Sequence, residues 1–523
     1  MAVETCETVK LDDILKKFGF LGRYQVQMTL LLSFVFFING MHSINYIFVA
    51  EEVPYRCKVD QCESNPPIFE PLPNFVAPND SQNCYKYKTI ANDSGCTPKS
   101  FNSSFLERCD DWVYPSKDSF VVEFGLECQE WKRTFIGTVH SIGLMMGLFF
   151  QGQLSDKIGR KLVLIIVGVL GAVLGTAKSF AGSYFTYIIL EFLEATFGDN
   201  SSPGFIISIE FAHSDNRLRQ QIFICIAYAI GAVVMSTIGY YVTYWRHFVQ
   251  AIYIPALLFL LYIFLMHESV RWLLSKGRKQ EATKILLKIA KTNGVTLEKE
   301  TLENLQCEEL RTESSPLRDT FRSQIVVKRF LVCLIWWISC NFIFVGLVVN
   351  VVSLAGNKYL NFAIMSLTEI PSSFAMVYTL NKFKRKKPLF WSFMAAGVLC
   401  LVQPFVPKSH IWLSTGLYFI GRFIATYTFT VIYMYTSELF PTYTRNSMHA
   451  LCSSIGRIGS VVAPMTPLLA QYTESLPTLV IGAISLLAGL TTLLVPDVAN
   501  EPLPDNVKQA ESIGNHRTTA NCC

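Results

Sequence analysis

Twelve apolar stretches recur along this chain, each close to or above the roughly 20 residues a helix needs to cross a bilayer core. Nothing else in the sequence constrains its fold as strongly. They lie near 24–49, 133–154, 162–181, 183–209, 219–243 and 245–266, then near 329–352, 359–380, 388–406, 411–436, 447–471 and 475–496. Composition agrees: 51% of residues are hydrophobic and 16% are charged, whereas globular domains carry about 25% charged residues. The expected class is all-α, a polytopic membrane protein with twelve transmembrane helices in two six-helix halves.

The connections set the topology. Basic residues gather in alternate ones: Lys157, Arg160 and Lys161, then Arg217 and Arg219, then the long segment 267–328, then Lys382 to Lys387. The others hold little beyond Lys178, Arg246, Lys358 and Lys408. The dense connections belong on the cytoplasmic side, which puts both termini inside. Residues 1–23 are polar and are expected to form a cytoplasmic N-terminus without a cleavable signal peptide. The N-terminal half is 24–266, the cytoplasmic loop 267–328, the C-terminal half 329–497, and the tail 498–523 is expected to be disordered. Within the cytoplasmic loop, 277–291 places Ala282, Ile285, Leu286 and Ile289 on one helical face with lysines opposite. It reads as an amphipathic helix under the bundle.

The loop 50–131 falls on the outer side. It holds 14 Asp or Glu against 7 Lys or Arg, and Cys57, Cys62, Cys84, Cys96, Cys109 and Cys128. An even number of cysteines in an oxidising compartment implies a disulfide framework, with the pairing left open. Asn79, Asn92 and Asn102 each begin a glycosylation sequon there. A net charge of +5 gives no sign of a nucleic-acid partner. No metal, nucleotide or nucleophile constellation stands out, so no cofactor is expected and an enzyme is disfavoured.

Between the second and third stretches runs Gly152-Gln153-Leu154-Ser155-Asp156-Lys157-Ile158-Gly159-Arg160-Lys161. Gly152 and Gly159 suit a tight turn between packed helices, and Asp156 sits among bases such as Arg160. This spacing resembles the cytoplasmic signature of the major facilitator superfamily. In that superfamily two halves rock about a central site, and this loop helps to close the cytoplasmic side. Asn381 to Lys386 is its counterpart in the second half, with Asn for the acid and Lys for a glycine. Glu268-Ser269-Val270-Arg271-Trp272-Leu273-Leu274, Glu438-Leu439-Phe440-Pro441-Thr442 with Arg445-Asn446, and the Cys-rich first loop narrow the likeness further. Together they resemble the organic cation, anion and carnitine transporter family, over about residues 18 to 505. His267 and Glu191 depart from it, standing where the family has Pro and Arg. A sugar porter, the nearest rival, would lack the six-Cys loop.

Depth locates the candidate site. Arg457 is about ten residues into its stretch, so its backbone is about 15 Å deep, near the midplane. Arg422, Glu369, Glu191 and Glu194 are similarly deep, and intramembrane charges are costly and usually functional. Arg422 reads as one half of a structural ion pair. Glu191 and Glu194 share a helix face and suit an interhelical role, proton uptake or substrate contact. At Arg457 the resemblance implies a carboxylate-binding base, since the family's cation carriers have Asp there and its anion and carnitine carriers have Arg. The other reading of Arg457 is a buried pair with an acid such as Glu369. Trp337, Phe344 and Tyr228 match aromatic positions that line the family's cavity and attract alkylammonium groups; Thr430 matches a polar one.

The expected function is alternating-access transport of small organic ions across the plasma membrane. Carnitine-like or amino-acid-like zwitterions come first, with Arg457 on the carboxylate and Glu369 and the aromatics on the ammonium. An organic cation carrier is the alternative, and a non-transporting receptor of the same fold a further one. The expected partners are the substrate, the lipid bilayer and a coupling ion, H+ or Na+.

Overall fold

The computed structural model describes residues 11–78, 83–90, 95–213, 216–297, 302, 317–382, 385–407, 409–441, 444–498, 504 and 507–513. Asn79, Asn92 and the Cys522-Cys523 end lie outside them. Among the described residues, nine helices are long and apolar enough to cross a membrane. They are span 1 (Arg23–Val49), span 2 (Glu130–Ile158), span 3 (Arg160–Lys178), span 5 (Arg219–Tyr241), span 6 (Trp245–Leu265), span 7 (Gln324–Ser353), span 9 (Lys386–Phe405), span 10 (Ile411–Thr436) and span 12 (Leu476–Leu494).

Two of the other three expected spans are interrupted, and the third tightens without a gap. Span 4 is Tyr184–Phe197 followed by Ser201–Phe211, and span 8 is Lys358–Leu367 followed by Glu369–Lys382. Span 11 is Arg445–Val462, tightened into a 3-10 helix over Ala463–Gln471. Each break has a local cause. In span 4 the Asp199 carboxylate accepts from the backbone N–H and the hydroxyl of Ser201, at 3.0 and 2.8 Å, and so competes with the helix. Pro371 in span 8 and Pro464 and Pro467 in span 11 lack the N–H an α-helix needs. Four of the five deep charges, Glu191, Glu194, Glu369 and Arg457, lie on these three spans.

Packing follows one scheme twice. Span 1 lies on span 5, span 2 on span 4 and span 3 on span 6; span 7 lies on span 11, span 8 on span 10 and span 9 on span 12. Close approach sets the first pairing of each half: an added Cβ at Gly231 would strike the backbone of Phe37, and one at Gly459 the backbone of Ile338. With no water to expel, such small residues let helices gain dispersion contacts. Spans 5 and 8, and spans 2 and 11, join the halves.

At the end that carries the 50–131 loop, the halves are closed on each other. Lys358 pairs with Glu51, Ser236 donates to the Tyr359 carbonyl at 2.6 Å, and Thr138 donates to the Val461 carbonyl at 3.0 Å. At the opposite end ion pairs such as Arg160 to Glu210 and Arg385 to Glu438 stay within one half.

The 50–131 loop holds the strands found among the described residues. β1 (Arg56–Cys57) pairs with β4 (Trp112–Val113), and β2 (Tyr85–Thr89) with β3 (Phe101–Arg108), all antiparallel. Cys57–Cys109, Cys62–Cys96 and Cys84–Cys128 staple this small domain. Glu123 fastens it to span 6 by accepting from Trp245 Nε1 at 2.7 Å and from Arg246. Burial alone would raise the Glu123 carboxyl, but those two donors hold it below the usual carboxylate range.

One expectation needs correction. Within the tail 498–523, Val507–Ser512 is helical and Ala510 is fully buried. Arg329 donates to the carbonyls of Ala510 and Ile513. A helix C-terminus leaves its last carbonyls without intrahelical partners, and a guanidinium supplies them. In the cytoplasmic loop, Lys279–Asn293 is a helix that buries Ala282, Leu286 and Ile289 and stops at Gly294 in the left-handed region.

Asn102, at the start of β3, is partly exposed and its side chain accepts from the Ser104 N–H. Glycosidase treatment of protein from a glycosylating host should increase its mobility on a gel. Gln at Asn79, Asn92 and Asn102 together should remove that shift, and a parent protein with no shift would contradict the outward placement of 50–131.

Candidate functional site

The expected gating residues sit where span 2 gives way to span 3. Span 2 stays helical through Ile158, so Gly152 is inside a helix with open space beside it and the turn does not need it, contrary to expectation. Gly159 makes the turn alone, at φ 111°, a backbone that L side chains rarely adopt. An added Cβ there would also strike the Glu268 carboxylate. Glu268 caps span 3 by accepting from the Arg160 and Lys161 N–H groups, both at 3.0 Å. Arg160 reaches Asp156 at 2.5 Å and Glu210 at 3.2 Å. Asp156 thus pairs with its own loop, and its backbone carbonyl accepts from Trp272 Nε1 at 3.0 Å.

At mid-depth, Arg422 is buried and pairs with Glu369 at 2.6 Å. The same guanidinium donates to the Phe344 carbonyl at 3.0 Å and lies over the Phe344 ring, 3.6 Å from its centroid. This is the structural pair expected for Arg422. It also occupies Glu369 and one face of Phe344, both expected to meet substrate. Trp337 is buried rather than exposed to a cavity. Its Nε1 donates to Thr436 at 3.1 Å, and its ring packs on Tyr433 and His449. The Thr430 hydroxyl is spent on the Thr426 carbonyl at 3.2 Å. Tyr228 bonds Ser43 at 2.8 Å and lies within electrostatic range of Glu369, Arg422 and Asp199.

Arg457 differs from all of these. It is half-buried on span 11, and among the described residues it has no hydrogen-bond or ion-pair partner. The pairing of Arg457 with Glu369 is not formed, because Glu369 is already closed on Arg422.

Sequence reasoning passed over Asp199, which sits at the break of span 4. Its carboxylate accepts from Asn39 on span 1 at 2.9 Å and from Ser201. Among the described residues no cation lies within ion-pair reach of it. The signal was available: an acid in the middle of the 183–209 stretch, followed by Ser, Ser and Pro.

Glu191 and Glu194 lie apart from this region, in the core of the N-terminal half. Lys178, expected in an outer connection, is fully buried between them, with its Nζ 2.8 Å from Glu191 and 3.1 Å from Glu194. His140 Nδ1 is 2.7 Å from the other Glu191 oxygen. Lys178 ends an apolar run and so looked like a loop residue, but two buried carboxylates draw it inward. No charge in this core is affordable without partners of this kind.

Truncating one member of a buried pair leaves the other uncompensated, at a cost of about 3–5 kcal/mol. Glu369→Gln should therefore lower the melting temperature of the purified protein in detergent, and Glu369→Gln with Arg422→Gln should recover part of the loss. Arg457→Gln should melt like the parent. A Glu369→Gln protein as stable as the parent would show that the pair carries no stability.

Residues 113–503 match the family described as sugar (and other) transporter. The chain is 30% identical over 526 residues to the organic cation transporter protein of Drosophila melanogaster, covering 96% of this chain and 95% of that one. It is 27% identical to the organic cation/carnitine transporter 2 of Rattus norvegicus, over 95% and 93% of the two chains. Among solved structures it resembles the inward-open xylose transporter XylE from E. coli, with a TM-score of 0.60, 15% identity, and 92% and 99% of the chains covered. That last likeness concerns the fold.

Proposed function

Because this chain belongs to the sugar (and other) transporter family, and within it to the organic cation and carnitine solute carriers of the major facilitator superfamily, it is a membrane transporter, and we propose that its substrates are small zwitterions. One observation carries the substrate class: Arg457 is a guanidinium near the midplane without a partner among the described residues, while Arg422, the other deep arginine, is fully engaged. A bare guanidinium at this depth is costly unless an anion arrives to pair with it. Its planar fork matches a carboxylate bidentately.

The ammonium end then needs an acid that is still free of a cation. Glu369 does not qualify, but Asp199 does among the described residues; it accepts from Asn39 of span 1, and Tyr228 bonds Ser43 one turn further along that span. We therefore assign carboxylate recognition to Arg457 and ammonium recognition to Asp199 and Tyr228. Glu369 moves to the support of Arg422. Carnitine-like and amino-acid-like compounds have this charge pattern. Asp199 also favours a second reading, an organic cation carrier, in which Arg457 would meet a co-transported anion or none. The proposal includes the plasma membrane as location, cytoplasmic termini, and H+ or Na+ as a coupling ion. The alternation of basic connections and the outer sequons support the first two.

Labelled carnitine against its methyl ester separates these readings, because the ester keeps the quaternary ammonium and loses the carboxylate charge. Arg457→Ala at normal surface expression should cost roughly 2–4 kcal/mol for carnitine, enough to abolish uptake in most assays. It should affect the ester far less, and Arg457→Lys should restore uptake only in part. Asp199→Asn should weaken both compounds alike. Intact carnitine uptake in Arg457→Ala, or equal loss for acid and ester, would defeat the zwitterion reading.

A further inference from the structure

Four ionisable side chains are sealed inside the N-terminal half, and the substrate assignment above uses none of them. His140 on span 2, Lys178 on span 3, and Glu191 and Glu194 on span 4 are all buried. Lys178 bonds both carboxylates and also Tyr253, at 3.0 Å, and lies over the Tyr253 ring. His140 Nδ1 meets Glu191 at 2.7 Å, with Glu194 at 4.0 Å. The other groups facing the cluster are Tyr46, whose ring lies 5.5 Å from His140, Tyr187, and His42, which stacks on Tyr253. Among the described residues, no further charged side chain pairs with any member.

With a neutral imidazole, the cluster holds one ammonium and two carboxylates, a net charge of −1 in a dry core. Burying an uncompensated charge is costly, and one added proton cancels it. His140 has the vacancy: its Nδ1 is committed to Glu191, while its Nε2 is buried without any partner among the described residues. A metal ion is the competing occupant, since His140, Glu191 and Glu194 lie close enough to share one. The Lys178 ammonium already fills the space between the carboxylates and repels such an ion.

Access to His140 depends on how the two halves meet. His140 lies within one turn of Gly137 and Thr138, which are among the span 2 contacts with span 11. Thr138 donates to the Val461 carbonyl, and an added Cβ at Gly137 would lie 2.7 Å from Pro464 and 2.5 Å from the Tyr46 ring. Tyr46 thus covers both the contact between halves and the imidazole. Opening the outer side must part span 2 from span 11 and so uncovers His140. Closing it seals whatever proton the cluster holds. Glu194 is also five residues before Asp199 on the same interrupted span, and its carbonyl accepts from the Gly198 N–H at 2.7 Å.

We infer that His140, Glu191, Glu194 and Lys178 form a proton-binding site, loaded and emptied as the halves open and close, which couples transport to a proton gradient. This rests on the transporter reading and names H+ as its coupling ion. The full-length protein in nanodiscs, without substrate, should take up one proton at the cluster between about pH 5 and 8, read as pH-difference infrared bands of the imidazole and carboxyl groups. Glu194→Gln removes the excess negative charge while keeping an oxygen for Lys178. It should fold normally and lose that titration. His140→Gln, which keeps a hydrogen bond to Glu191 but takes no proton, should lose it too. In proteoliposomes, the parent should accumulate labelled carnitine under a proton gradient, while Glu194→Gln exchanges carnitine without accumulating it. A parent with no titrating group, or variants that titrate as the parent does, would overturn the site. Failure of carnitine to move in any protein would overturn the zwitterion reading instead and leave the titration to decide the proton site.

Discussion

A charge in a hydrocarbon core has no water to solvate it, so it persists only with a partner inside the protein or with one that arrives as ligand. That constraint sorts the deep charges of this molecule into three groups. Arg422 and Glu369 satisfy each other, helped by a carbonyl and a ring face. Lys178, Glu191, Glu194 and His140 satisfy one another except for one unit of charge and one ring nitrogen. Arg457 and Asp199 have no opposite charge within the described protein. Substrate chemistry is argued from that remainder.

The interrupted helices and the charges belong to the same design. A continuous apolar helix satisfies its own backbone and offers a ligand little, whereas an interruption frees polar groups that only a cavity or a packed neighbour can satisfy. Span 4 carries the proton cluster before its break and Asp199 at it, so a movement of one piece changes the surroundings of both. Span 8 begins its second piece at Glu369, and span 11 tightens just beyond Arg457. The packing scheme repeats between the halves, yet their charges do not. At mid-depth, among the described residues, the N-terminal half holds a multi-centre cluster and the C-terminal half the Arg422–Glu369 pair.

Much of the architecture was legible in the linear chain. Long apolar stretches locate spans because the length of a bilayer-crossing helix is set by the thickness of lipid, and that signal survives without any knowledge of neighbours. The depths of Arg422, Arg457, Glu369, Glu191 and Glu194 followed from the same arithmetic. Partner choice did not follow. Arg422 and Glu369 are 53 positions apart, and nothing local distinguishes Arg422 from Arg457 as the partner of Glu369. Lys178 and Asp199 were misjudged for opposite reasons. One ends an apolar run and resembles a surface residue, and the other hides within an apolar run that its own hydrogen bonds break.

The sequence by itself determined the class of molecule, the long apolar spans, the cysteine-rich domain between the first two of them and the glycine on which the turn between spans 2 and 3 depends. These are properties of composition and local spacing, and each residue contributes independently of the rest. Only the tertiary structure decided which charges are spent and which remain, how six cysteines pair, that the outer side is closed, and that a tail helix docks on Arg329. Those outcomes depend on side chains from distant spans meeting at a particular depth and face. Ion pairing in a medium without water is a choice among partners that a linear chain does not rank.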